Sequence, residues 1–354
     1  APRARSPLPP RVLAVAPSPR LMVETIIYNF TPGHAIIGGI LLGSASIFRM
    51  WFSGQILGVS GITGGIVRGK HAELPRWLFF GGLATGGLAL QALWPSAFPR
   101  VETSYWREII GGAAVGLGAT LGNGCTSGHG IGGCSRLSKR SIAYVLTFMA
   151  TGFATASLLA SATAIEAVSS PPLPSLDEAL ATAARVLAGH FAAYVSCAGL
   201  SLAGALSPAA TALATSFLDG TLFACGLGIA GMTSPAAVAQ FLDVSQGTWN
   251  PTLMFVMAGG IAMMAPFMLG LVLPGRLARP LLCPNFSIPT STVIDRKLLS
   301  GGIIFGAGWG IAGMCPGPAI VALGSAHPPL VFVAAMFAAM KLADSEGVRR
   351  FFEQ

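Results

Sequence analysis

The chain has 354 residues, 53% hydrophobic and only 10% charged, with a net charge of +8 and a mean hydropathy of +0.69. Soluble domains carry roughly a quarter charged residues, so this composition excludes a water-soluble globular protein and points to an all-α polytopic membrane protein. The positive charge would suggest nucleic acid in a soluble chain; here it is read as Lys and Arg kept in cytoplasmic loops, with a contribution to attracting an anion.

In chain order, residues 1–32 form a flexible basic, Pro-rich segment. Its first 20 residues contain no acidic side chain, which also fits an organelle targeting segment, although the prolines spoil an amphipathic helix. A first unit spans about 34–67, interrupted by Arg49 and by the glycine-rich run GQILGVSGITGG. A basic loop with Arg68, Lys70 and Arg76 follows, then an apolar helix near 77–94. The second unit, 108–133, leads into a loop with Arg136, Lys139 and Arg140, and 141–165 reads as a plain spanning helix. After a proline-rich acidic loop at 166–184 comes an odd helix at 185–206, then a third unit near 211–235 and a spanning helix at 252–273. A loop with Arg276, Arg279, Arg296 and Lys297 precedes the fourth unit, 298–318, a last helix near 329–340 and a charged tail, 341–354.

The units repeat one another. GGAAVGLGATLGNGCTSGHG at 111–130 and GGIIFGAGWGIAGMCPGPAI at 301–320 align without a gap, placing Cys125 on Cys315. A weaker copy at 220–235 puts Gly-Met-Thr where the fourth unit has Gly-Met-Cys, and a loose copy opens at Gly38. The Gly-x-x-x-Gly spacings are helix-packing faces. The polar turn GNGCTSGHG and the proline-bearing GMCPGP cannot be ordinary helix interior, so each unit is expected to be a broken helix ending near mid-membrane. The positive-inside bias puts loops 68–76, 136–140 and 276–297 and the C-terminus in the cytoplasm, with the N-terminus outside. Nine crossings result, arranged as inverted repeats, about 33–165 and 211–340, joined by the helix at 185–206 within one transmembrane domain, 33–340. Such repeats with broken helices are an architecture of small-solute transporters.

Cys125 and Cys315 occupy equivalent breaks, where a thiol is a soft, polarizable donor. Asn123, Thr126, Ser127 and His129, with backbone N–H groups of the turn, are candidate donors to anion oxygens; Thr233 in the third unit and Gln55 and Ser60 in the first are further candidates. His129 reads equally well as a satisfied histidine in a polar turn. Cys197 and Cys225 read as small hydrophobes, and Cys134 and Cys283 are left unassigned. The histidines show no metal spacing and no GxxxxGK[ST] loop occurs, so no metal, cofactor or ATP-driven step is expected.

With NGCTSGHG in one half, GMCPGP in the other, GQILGVSGI upstream and GMTSP between them, the chain resembles the YeeE/YedE family of sulfur-transport membrane proteins from about residue 30 onward. The resemblance implies thiosulfate uptake, with Cys125 and Cys315 relaying the anion through S–H···S contacts along a central path. The family's thiosulfate transporters also have a first-unit cysteine. GQILGVSGI has none, its nearest small polar residue being Ser60, which keeps sulfide, sulfite, a persulfide carrier or a selenium species alongside thiosulfate.

The function expected is therefore a non-enzymatic transporter of a small sulfur-containing anion in a bacterial inner or plasma membrane, or an organelle inner membrane. Its partners would be the anion, the bilayer and a soluble sulfurtransferase-like acceptor. The alternatives are a membrane-embedded thiol or redox enzyme, for which Cys125–His129 is the pair on offer, and a channel for another small anion.

Overall fold

A computed structural model of the chain describes residues 30–69, 73–98, 104–159, 173–245, 249–324 and 327–345. The basic segment up to residue 29, residues 160–172 of the proline-rich loop and the tail beyond 345 lie outside the described residues.

The first half contains α1 (Pro32–Ser53), α2 (Val59–Val67), α3 (Leu74–Leu93), α4 (Tyr105–Leu121) and α5 (Lys139–Leu159). The second contains α6 (Leu176–Leu202), α7 (Pro208–Ile229), α8 (Pro235–Leu242), α9 (Thr252–Phe267), α10 (Arg296–Ala312), α11 (Pro316–Val321) and α12 (His327–Ala343). With so few charges available, short polar side chains start the helices: Ser175, Ser207, Ser234 and Asp295 each accept the backbone N–H three residues on. The protein is all-α and polytopic. Pro32–Ser53, Lys139–Leu159, Pro208–Ile229 and Thr252–Val272 are long and apolar enough to cross a membrane, and Arg296–Ala312 with Pro316–Gly324 is apolar enough as a pair, bent by 44° at its break as a broken span or a re-entrant loop is. With α3, α4, α6 and α12 these make nine long helices among the described residues.

All four units break in one way. The long helix stops, the chain passes through a left-handed residue, and a short helical segment follows. The left-handed residues are Gly54 (φ 67°), Asn123 (φ 56°), Gly231 (φ 71°) and Gly313 (φ 64°); glycine and asparagine are the residues that enter this region at least cost. Cys125, Thr233 and Cys315 each stand two residues beyond the turn, and in the first unit that place belongs to Ile56. The segment after Cys125 is not an open loop: Thr126–Gly133 winds as a π-helix, the wide turn often found at functional positions.

Packing is symmetric under exchange of the halves. Helix α1 packs on α7 and α4 on α10, while α1 packs on α9 as α3 does on α7, and α4 on α12 as α5 does on α10. Helix α6 lies outside this scheme, against α7 and α1. Glycines carry the crossings: carbonyl oxygens of Gly308 and Gly301 abut Gly111 and Gly118, and those of Phe332 and Met336 abut Gly112 and Gly116. Close backbone approach replaces the hydrophobic drive that lipid cannot supply. An aromatic cluster centred on Phe148, whose ring centroid lies 5.4–5.8 Å from those of Tyr144, Phe305 and Trp309, fills the space between α5 and α10. The large exposed side chains, such as Leu88, Leu146, Phe191, Val195 and Ile303, point outward from the bundle, the surface a lipid-facing protein needs.

The loop after α9 folds back onto the end of α1. Leu281, Leu282 and Ser287 donate backbone N–H groups to the carbonyls of Trp51, Phe52 and Gly54 at 2.9, 3.0 and 2.7 Å. Carbonyls that a helix end leaves without partners are thereby satisfied. Arg136 donates to Pro289 O, and Arg140 to Val293 O and Asp295. Two of the basic loops read from the sequence, 136–140 and 276–297, thus meet on one face.

A Cβ at Gly118 would stand 2.4 Å from Phe305 N and 2.6 Å from Gly301 O. Gly118→Val is expected to lower the melting temperature in detergent by an amount equivalent to about 1–3 kcal/mol, whereas Gly189→Ala, with no neighbour within 4 Å of the added carbon, leaves it unchanged or raises it. Differential scanning fluorimetry on the two variants checks this.

Candidate functional site

The second and fourth units deliver their breaks to one place. Cys125 and Cys315 are both buried, 1% and 2% exposed, and both line a cavity of about 250 Å³. Thr126, in the second unit, donates its hydroxyl to Cys315 Sγ of the fourth at 3.7 Å. Cys125 Sγ lies 3.3 Å from Ser127 Oγ, which also accepts the backbone N–H of Val59 at 3.2 Å. Three of the four units are therefore stitched together around the two thiols. The rest of the wall is apolar, and it includes the thioethers of Met149, Met232, Met254 and Met257 beside Phe148, Phe241 and Trp309. Six sulfur-bearing side chains and two hydroxyl-bearing ones thus line the cavity. Such a lining is polarizable and poor in fixed charge, which suits a soft atom better than a hard oxyanion.

A second, polar cavity of about 410 Å³ lies on the face where the basic loops meet. Gln55, Asn123, His129, Ser141, Ser287 and Ser291 line it, together with the guanidinium groups of Arg76, Arg136 and Arg140. Arg76 pairs with Glu73 and Arg140 with Asp295. Among the described residues Arg136 forms no ion pair with a carboxylate, so this vestibule carries a positive surplus. Asp295 holds its place by charge: burial works against its carboxylate, but the Leu298 N–H and Arg140 outweigh it and keep the group below the ordinary carboxylate range.

The residues singled out in the sequence thus divide. Cys125, Cys315, Thr126 and Ser127 front the thiol cavity; Gln55, Asn123 and His129 front the vestibule. Thr233 donates its hydroxyl to Ala97 O and Ser60 is buried on α2, and neither lines either cavity. His129 Nε2 lies 3.2 Å from Gly122 O and Nδ1 2.9 Å from Ser141 Oγ. A carbonyl can only accept, so Nε2 carries the proton and Nδ1 accepts from the serine. Both nitrogens are engaged, the ring lies tilted against Tyr144 with centroids 4.5 Å apart, and neither nitrogen is left to serve the Cys125 thiol as a base.

Arg49 and Asp219 are a pair that the sequence reading did not connect. Both are buried, 4% and 1% exposed, in α1 and α7. Arg49 donates to Ser216 Oγ at 3.1 Å, Asp219 Oδ2 at 3.4 Å and Gln55 Oε1 at 3.0 Å, and Tyr194 donates to Asp219 Oδ1 at 2.5 Å. An arginine has only donors to offer, so the Gln55 carbonyl must face inward and its amide N–H groups face the vestibule. The signal available in the sequence was one Arg in one apolar helix and one Asp in another, a pattern that marks functional groups inside a membrane. The methionines of the thiol cavity were missed because methionine also fills ordinary cores. Asp219→Ala strands the Arg49 charge and should cost about 3–5 kcal/mol, while Arg49→Met with Asp219→Leu recovers most of that loss; chemical denaturation of the two variants in detergent measures the difference.

Comparison with known proteins gives the chain its relatives. Residues 13–155 match the model of a family described as sulphur transport, and residues 211–350 match a family of unknown function (DUF6691). A probable transporter of Xylella fastidiosa strain 9a5c is 48% identical over 110 residues, which are 31% of this chain and 73% of the relative. Its counterpart in strain Temecula1 is 47% identical over 110 residues, 31% and 72% of the two chains. A second probable transporter of strain 9a5c is 39% identical over 130 residues, 36% of this chain and 93% of the relative. These relatives are less than half as long as the present chain, a length that accommodates one half of its helix order. No solved structure matches the chain significantly. The symmetric all-α bundle, the broken helices and these matches together make the chain a membrane transporter of the sulphur transport family, the group to which the YeeE/YedE proteins belong.

Proposed function

We propose that the protein carries thiosulfate across the membrane by passing it from the basic vestibule to the thiols of Cys125 and Cys315. The observation that carries this reading is the Thr126–Cys315 hydrogen bond, which ties the breaks of two units to one cavity and brings both thiols to its wall. Thiosulfate has oxygens at one end and a soft sulfur at the other. Arg76, Arg136, Arg140 and the amide of Gln55 suit its oxygens and raise the local anion concentration, while the thiols and thioethers suit its terminal sulfur. A neutral thiol donates weakly, so each hand-over stays loose enough for release, as conduction through successive sites requires.

The vestibule then faces the cytoplasm of a bacterial inner membrane, by the excess of Lys and Arg in the loops around it, and the two halves act as inverted repeats. Where relatives of the thiosulfate-transporting kind have a first-unit cysteine, the vestibule side here has Ile56 and the oriented amide of Gln55. Two thiols therefore serve the path, and a soluble sulfurtransferase-like acceptor would receive the anion at the vestibule.

Uptake of labelled thiosulfate into proteoliposomes tests the reading. Cys125→Ala and Cys315→Ala should each lower flux about tenfold, the equivalent of roughly 1.4 kcal/mol, without changing the melting temperature. Folded variants with wild-type flux would remove the thiols from the path, and a wild type with no thiosulfate flux would remove the substrate. Arg136→Gln should raise the half-saturating concentration about fivefold, with an effect that fades at high ionic strength, as expected of a charge that attracts the anion to the vestibule.

A further inference from the structure

Two glycines stand between the vestibule and the thiol cavity. Gly58 lines the vestibule and its neighbour Val59 the thiol cavity; Gly128 lines the vestibule and its neighbour Ser127 the thiol cavity. The two chain segments are fixed to each other, since the Val59 N–H donates to Ser127 Oγ at 3.2 Å. The cavities thus share a wall at the point where residues 58–59 cross residues 127–128.

Neither glycine is required by the fold. Gly58 has extended backbone, φ −131° and ψ 106°, and Gly128 is not among the residues with positive φ. Neither is required by packing. A Cβ built on Gly58 would meet only Gly128, with Cα at 3.5 Å and N at 4.0 Å, and one built on Gly128 would meet only Gly58 Cα, at 3.6 Å. Both are ordinary van der Waals distances. Nearby glycines differ: a Cβ at Gly130 would lie 2.4 Å from Met257 Cε, and one at Gly132 2.5 Å from Ile56 Cγ2. At 58 and 128, and at neither of those neighbours, there is room for one added carbon, and that carbon would lie in contact with the facing segment at the point where the two cavities adjoin.

From this we infer that the Gly58–Gly128 crossing is the size filter of the transport path. The inference rests on the transport reading above and deepens it. An anion leaving the guanidinium groups passes two segments of bare backbone before it reaches a thiol, so the width of the passage is set by the absence of two methyl groups. Each carbon added there narrows the passage without displacing any packed atom, and the largest anions are lost first.

The test separates the filter from the identity of the cargo. Gly58→Ala, Gly128→Ala and Gly58→Val are made in a chain whose cysteines other than Cys125 are alanine, and the same changes are made in the wild type for flux. In vesicles with the basic face outward, the rate at which Cys125 reacts is measured with a small and a bulky membrane-impermeant methanethiosulfonate. Labelled thiosulfate flux is measured in parallel, with Gly189→Ala as control and melting temperature as the check on folding. The expected result is a fall of at least tenfold in reaction with the bulky reagent in each alanine variant, a smaller fall with the small one, loss of both in Gly58→Val, and a parallel loss of flux. Equal labelling of folded wild type and variants overturns the filter, as does a wild-type Cys125 that the small reagent cannot reach from this face. Size-dependent labelling without thiosulfate flux keeps the filter and overturns thiosulfate as the cargo.

Discussion

A backbone buried in lipid must satisfy its own hydrogen bonds, and a transport path needs backbone that does not. The whole molecule follows from that conflict. Each of its four units runs an apolar helix into the bundle and then breaks at a left-handed residue, and the carbonyls and N–H groups at the break survive because protein surrounds them. The enclosure is visible in detail. Loop residues 281–287 cap the end of α1, Tyr144 donates to the carbonyls of Gly118 and Gly124 at 3.3 Å, and Val59 N–H finds Ser127. Enclosure in turn demands that helices approach closely, which is why glycine lines the α4–α10 and α1–α9 crossings. Packing and function here share one residue type for two reasons, and the space around each glycine tells them apart.

Duplication solves the geometry economically. A single unit brings one break to the interior of the bundle; four units related by exchange of halves bring several breaks to a common centre, each from its own direction. The second and fourth units present thiols there, while the first contributes backbone and the oriented Gln55. The third diverges: Thr233 stands where Cys315 stands, yet it donates to Ala97 and faces neither cavity. Equivalent sequence position therefore fixes where a break lies, and the neighbours decide which way its side chain turns.

Much of this was readable from the sequence because it rests on local rules. Asn123, Gly231 and Gly313 share a register and a left-handed conformation, and both the breaks and the alignment of Cys125 with Cys315 follow from that register. The division of the polar candidates between two cavities was not readable. It depends on which helices cross, and Ser60, one residue from Val59, is on the wrong side of α2 to reach either space. The Arg49–Asp219–Tyr194 network joins three helices that are 145 or more residues apart in the case of Arg49 and Tyr194, so no local pattern could pair them. The vestibule likewise required the loop after α9 to fold back on α1, a contact made by backbone groups that carry no sequence signature.

The central claim is that Cys125 and Cys315 meet the transported sulfur anion, and competition at the thiols tests it most directly. With the other four cysteines replaced by alanine, the rate of modification of Cys125 and Cys315 by an anionic methanethiosulfonate is measured with increasing thiosulfate, and with sulfate as the oxygen-only comparison. The account predicts that thiosulfate slows modification of both thiols at concentrations that saturate flux, and that sulfate does so far less. Modification that proceeds at one rate with or without thiosulfate would contradict it.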